Sequence, residues 1–189
     1  MKEVEVLMRV NSGAEGLEER LRQQAKFVGA VVVDDQYYFD PLRHEQYFSP
    51  EGRFISSFRL RQKDGKARVT HKADHFDDVG LWTYSDELET EVGDYDTFQK
   101  LIETLGFEKL VCLEIVKKTF LTDDYEIVLE EVKDLGIFIE IEALHVDDGV
   151  DVEALKNKIR QFARDLGVEG EEELLMGKVE LLWLKQKDK

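Results

Sequence analysis

Phe58-Arg59-Leu60-Arg61-Gln62-Lys63-Asp64-Gly65-Lys66-Ala67-Arg68-Val69-Thr70-His71-Lys72 is the stretch from which the fold can be read. Two runs of period-two alternation flank Asp64-Gly65, a dipeptide preferred in two-residue hairpin turns. Counting outward from that turn pairs Lys63 with Lys66, Arg61 with Arg68, and Arg59 with Thr70. Because side chains alternate along a strand, Arg59, Arg61, Arg68, Thr70 and Lys72 share one face, and Phe58, Leu60 and Val69 take the other. Arg61 directly opposite Arg68 is a like-charge pair, which destabilises a ladder unless something negative intervenes. An anion held by this face is the expectation.

Acidic residues recur elsewhere with the same period. Glu3 and Glu5, Glu87 and Glu89, and Glu140 and Glu142 each flank one apolar residue. A second hairpin turning at Asp123-Asp124 places Lys117 across from Glu130, on one face with Glu126. The plain account is a set of sheets solvated on one side and covered by helices on the other. The segregation of charge favours another. Bases gather on one hairpin and carboxylate pairs on other strands, which suits a metal-phosphate site: Mg²⁺ takes carboxylate and phosphate oxygens, and arginine forks grip phosphate. His44, His71, His75 and His145 show no ligand spacing.

The pattern of strand, helix and three strands occurs twice, at about 1–75 and 86–145, within a single domain spanning 1–189. The first helix carries Leu17, Leu21, Ala25 and Val28 and stops at Gly29. The second carries Phe98, Leu101, Ile102 and Leu105 and stops at Gly106. A third runs from an Asp151 cap through Val152, Leu155, Ile159, Phe162 and Leu166 to Gly167. Gly177 to Lys185 reads as a last strand, and 42–53 and 73–85 read as loops, the second offering Trp82 and Tyr84 to cover a barrel mouth. The sum is α+β: about eight antiparallel strands, closed or nearly closed into a barrel that leaves no edges to protect, with helices packed outside.

The chain has 189 residues and a formal charge of −16. That field repels polyanions, which argues against a nucleic acid polymer or a membrane surface as partner, while leaving room for a small polyanion in a shielded basic pocket. Cys112 stands alone, so neither an internal disulfide nor a cysteine zinc cage forms, and its apolar neighbours place it in the core. No stretch resembles a signal peptide or a membrane span, and the expectation is a cytoplasmic protein. Charged residues at 36% with few Asn and Met lean towards a thermophile.

Taken together, these segments resemble the CYTH superfamily of class IV adenylyl cyclases, thiamine triphosphatases and inorganic triphosphatases. Glu3-Val4-Glu5-Val6-Leu7-Met8-Arg9 is similar to its Glu-x-Glu-x-Lys signature followed by Arg. Phe58-Arg59-Leu60-Arg61 resembles its Leu-Arg-x-Arg, Thr70-His71-Lys72 its Thr-x-Lys, and Glu87-Leu88-Glu89 its central acidic strand. The run from Leu129 to Glu142 resembles its Leu-Asp-x-Val-x-x-Leu-Gly-x-Phe-x-Glu-Ile-Glu.

The resemblance implies a triphosphate tunnel. Mg²⁺ or Mn²⁺ would be bound on the side of Glu3, Glu5, Glu87, Glu89, Glu130, Glu140 and Glu142. A triphosphate compound (ATP, thiamine triphosphate or tripolyphosphate) would be bound by Arg9, Arg59, Arg61, Lys72 and Lys117, with Arg68 added by the hairpin argument. The implied activity is a hydrolase's attack by water, or a lyase's cyclisation of ATP to cyclic AMP and pyrophosphate. A homodimer is left open. The alternative is a weakened member that binds nucleotide or polyphosphate without turnover, because Leu7 stands where the signature has Lys. Ser85 also stands where many members have Arg, and Lys178 where a C-terminal Tyr is common.

Overall fold

The computed structural model describes residues 2–11, 14–63, 65–78, 80–147, 149–168 and 173–187, with the side chains of Ala14 and Glu15 excepted. Asp64 of the first hairpin turn therefore lies outside the described residues. The elements of the first half are β1 (Lys2–Glu3), β2 (Glu5–Val10), α1 (Ala14–Gln24), β3 (Lys26–Phe39), β4 (Ser56–Lys63) and β5 (Lys66–Phe76). Then come β6 (Trp82–Val92), α2 (Tyr95–Thr104), β7 (Glu108–Leu121), β8 (Tyr125–Val132) and β9 (Gly136–Ala143), followed by α3 (Val152–Asp165) and α4 (Lys178–Lys187).

All nine strands belong to one antiparallel sheet in the order β1-β6-β5-β4-β3-β7-β8-β9-β2. The two ends of that order are neighbours in the chain. Lys2 and Glu3 pair with β6, Glu5 to Val10 pair with β9, and the Val4 carbonyl accepts from the Ala143 amide at 2.9 Å. The sheet is thus a nearly closed barrel, stitched by one N-terminal segment that changes partner at Val4. Eight long strands become nine because of that break.

The hairpin registers follow the sequence: Lys63↔Lys66, Arg61↔Arg68 and Arg59↔Thr70 in one, Lys117↔Glu130 in the other. Outward-facing Val4, Val6, Ile139 and Ile141 pack beneath Leu17 and Leu21 of α1 and Ile159 and Ala163 of α3. Leu60 and Phe58 pack beneath Ile102 and Phe98 of α2. Both α2 and α3 start on an aspartate whose carboxylate accepts from the first turn, Asp94 from Thr97 N at 2.7 Å and Asp151 from Ala154 N at 3.0 Å.

Four local expectations are corrected. α1 ends at Gln24, so Val28 and Gly29 belong to β3, where the ladder with β7 already runs at Lys26↔Leu121 and a register shift falls between Phe27 and Gly29. The loop expected over 73–85 shrinks to the interval between the two strands, because β5 continues to Phe76 and β6 starts at Trp82. Cys112 is only half-buried, on the outer side of β7. The last segment is a helix instead of a strand. α4 presents Val179, Leu181, Leu182 and Trp183 to two different apolar clusters, so it shows no single helical stripe. Nor does it sit outside with the other three. It packs on an apolar sector of the inner wall, formed by Leu7, Val33, Leu113, Ile115 and Phe138.

Candidate functional site

The antiparallel ladders carry the inward parity from strand to strand, and so the charged faces meet. One cavity is lined by Arg59, Arg61, Lys72 and Lys117 together with Glu5, Asp35, Glu87 and Glu140. Its remaining wall includes Leu7, Tyr37, Trp82, Ile115 and the segment from Leu175 to Glu180.

On the basic side, Arg61 grips Asp35 with two hydrogen bonds of 2.6 Å, and Arg59 lies 3.8 Å from the same carboxylate. Asp35 is 1% exposed. Burial opposes its ionisation, yet Arg61, Arg59 and Lys117 hold the carboxyl below the usual range. Arg59 also donates to Thr70 Oγ1 at 3.0 Å, while its buried Nε has no hydrogen-bond partner among the described residues. The Arg61–Arg68 opposition is answered within the protein. Arg61 turns to Asp35, and Arg68 turns to Glu89 at 2.8 Å and Glu91 at 3.4 Å.

The seven candidate carboxylates divide into groups. Glu130, fully buried, receives Lys117 at 2.6 Å and Lys178, and Lys178 also bonds Glu140. Burial would raise the Glu140 pKa, but Lys178, Lys117 and Lys72 together pull it far below the carboxylate norm. Glu3 and Glu5 share the Lys72 ammonium at 2.9 Å each. Burial and the charges of Glu3, Glu5 and Glu140 push Glu142 up to about 8, and burial with Glu3 pushes Glu87 up to about 7. Glu89 stands at the rim among Arg68, Thr70 and Arg59.

Two basic candidates lie away from the cavity wall. Arg9 donates to the Leu135 carbonyl at 3.2 Å and stacks over Phe138, and Arg68 is a half-exposed rim residue. Leu7 points inward as the strand parity requires, but into the apolar sector under α4 and not among charges alone. Trp82 reaches the cavity, whereas Tyr84 stacks on His75 outside it. Ser85 is buried and bonded to Asp74 at 2.6 Å and Trp82 Nε1 at 3.1 Å.

Asp35 and Lys178 join the site without a motif of their own. The first shares its strand face with Tyr37 and was legible only through the Asp35↔Arg61 register. The second sits on a helix that the patterning disguises.

A model of the CYTH domain matches residues 1–175. The chain belongs to the CYTH family. A relative in Methanocaldococcus jannaschii, named as a candidate adenylate cyclase, is 23% identical over 142 residues, 75% of this chain and 77% of its own. A solved protein of Pyrococcus horikoshii is 27% identical with a TM-score of 0.79, covering 97% of this chain and 99% of that one. A Hippeastrum protein, described as a candidate adenylyl cyclase with a dominant triphosphatase activity, shares the fold at 15% identity. Its TM-score is 0.69, with 98% of this chain and 95% of that one covered.

Glu3, Glu5, Glu87 and Glu142 offer only oxygen donors, the kind that would suit a hard divalent cation, and are crowded enough that two of them hold their protons into the neutral range. In the present arrangement Lys72 occupies the space between Glu3 and Glu5, and no described trio of acidic, His or Cys side chains is already set to ligate. No described helix is long and apolar enough to cross a membrane.

Proposed function

We propose that this CYTH protein is an enzyme that takes a metal-bound triphosphate compound into the barrel and breaks a phosphoanhydride bond in it. The observation that carries the reading is Arg59: a guanidinium on the cavity wall, its side chain 17% exposed, whose buried Nε–H has no hydrogen-bond partner among the described residues. A buried donor without a partner costs free energy, and a phosphate oxygen satisfies it. Arg61 and Lys117 extend the same wall, so the negative charge on a phosphate chain meets several fixed cations.

Their work is positioning and charge neutralisation, because phosphoryl transfer asks little covalent chemistry of the protein. A bound Mg²⁺ or Mn²⁺ would supply Lewis-acid neutralisation of phosphate oxygens. The residues that would hold it are Glu3, Glu5, Glu87 and Glu142. Trp82 and Tyr37 on the same cavity leave an aromatic wall for an organic group beyond the phosphates.

Incubation with tripolyphosphate, ATP and thiamine triphosphate, each with Mg²⁺ or Mn²⁺, separates the chemistries. Released phosphate marks hydrolysis, and cyclic AMP with pyrophosphate marks cyclisation. Leu7 favours a second reading, a binder without turnover, which would give ligand-dependent thermal stabilisation and no product from any of the three. Neither turnover nor stabilisation would end both readings.

A further inference from the structure

Position 7 is the inner-face residue between Glu5 and Arg9, and its register partner across the ladder is Glu140. A side chain there stands beside that of Glu140 on the same face of the sheet. In this chain that side chain is Leu7, 3% exposed and packed with Leu182 of α4. The Glu140 carboxylate nevertheless holds a lysine ammonium, that of Lys178, which arrives from the first residue of α4.

The approach to α4 is fastened to the same place. The Leu174 amide donates to the Leu7 carbonyl at 2.7 Å, and Met8 pairs with Glu173. Glu173 in turn takes Lys156 at 2.8 Å and Arg160 at 2.7 Å from α3. Residues 173–177 therefore form a strap that starts on β2 beside Leu7 and ends where Lys178 enters the cavity. Leucine at position 7 gives α4 an apolar seat, and α4 returns a cation to the charges facing that position.

We infer that Lys178 is this chain's bore lysine, presenting to the substrate's phosphates the ammonium that position 7 does not provide. The inference rests on the triphosphate reading above and adds a residue to it. Lys178 lines the cavity with Arg59 and Lys117, and its side chain is 12% exposed. When a polyanion enters, the ammonium has only to shift between Glu130, Glu140 and phosphate oxygens, all within one site. Its presence depends on the docking of α4, through Leu182 on the inner wall and Trp183 against Phe48 and Phe54.

The test is a four-way cycle: parent, Lys178→Met, Leu7→Lys, and the double variant, each measured for Mg²⁺-tripolyphosphate affinity by calorimetry and for ligand-free melting temperature. Lys178→Met is expected to weaken binding by about tenfold or more, the scale for losing one charged contact. It should also lower the melting temperature, because Glu140 loses its nearest cation. Adding Leu7→Lys to Lys178→Met should recover most of both losses. Undiminished binding by Lys178→Met overturns the inference while leaving the triphosphate reading intact. A parent that binds no tripolyphosphate, ATP or thiamine triphosphate overturns that reading. The melting temperatures then decide the exchange of positions alone: recovery in the double variant supports it, and no recovery overturns it.

Discussion

Glu140 and Glu142 lie two residues apart on β9, point into the same bore, and end with opposite proton affinities. Glu140 has Lys178 on it and Lys117 and Lys72 nearby, so it stays ionised far into acid. Glu142 faces Glu3, Glu5 and Glu140, and its carboxyl is pushed up to about 8. One side of the bore is electrically complete and the other carries surplus negative charge. Motif spacing assigns both glutamates the same role. Their neighbours across the barrel make the first a partner for protein cations and the second a group in need of one.

The largest effect should come from breaking the complete side. Glu140→Gln strands Lys178 and Lys117 around Glu130 alone, and loss of one member of a buried charge network costs roughly 3 kcal/mol or more. Urea unfolding at neutral pH reads this directly, and a loss within about 0.5 kcal/mol, the scale of a surface change, would dissolve the distinction between the two sides.

The crowded side should respond to pH. A carboxyl whose folded pKa lies above its unfolded value binds protons more tightly when folded, so its contribution to stability is full below the unfolded pKa of about 4.5. It is lost as pH rises through the folded value, about 8 for Glu142 and about 7 for Glu87. The metal-free melting temperature should therefore fall by several degrees, roughly 2–4 °C per kcal/mol, between pH 5 and pH 9. Glu142→Gln should flatten part of that slope and melt higher than the parent at pH 9. An unchanged slope would show that Glu142 is already compensated.

Mg²⁺ or Mn²⁺ alone should sharpen the contrast. Millimolar cation should raise the parent's melting temperature at pH 8 by about a degree or more, by linkage, and raise that of Glu142→Gln less. Equal shifts would move the cation to other carboxylates. The smallest effect is expected at the rim. Arg68→Ala breaks half-exposed pairs to Glu89 and Glu91, costs at most about 1 kcal/mol, and should leave tripolyphosphate affinity near that of the parent, whereas Arg59→Ala should not.

Much of this was legible in the sequence wherever one strand face decided the matter. The Asp-Gly turn fixed Arg59 and Arg61 in register, and Glu-x-Glu pairs marked the inward faces of the β1–β2 segment, β6 and β9. The capped helices α2 and α3 carried their apolar stripes openly. What stayed hidden depended on contacts between distant segments. The Arg61–Arg68 opposition suggested an outside anion, but the counter-charge was Asp35, on a strand whose facing register nothing local announced. Lys178 was obscured because a helix apolar on more than one side, lying between the inner wall and the aromatic cluster of Phe48 and Phe54, has no periodicity to betray it. Arg9 had the right parity, yet Phe138 beneath it turned it from the cavity.

The change of partner at Val4 has a consequence for how the site comes into being. Residues 2–10 wait on strands made much later in the chain, β6 and then β9, before they can pair. Until residues 136–143 are in place, the sheet is an open ribbon with two bare edges, the state most exposed to pairing with another chain. The same latch carries Glu3, Glu5 and Leu7. Closing it completes the carboxylate group, seats the strap that leads to Lys178, and brings the two ends of the sheet together. Long-range pairing of this kind is a late and slow event in folding. A protein caught unlatched would keep its arginine hairpin and lack half of its cavity.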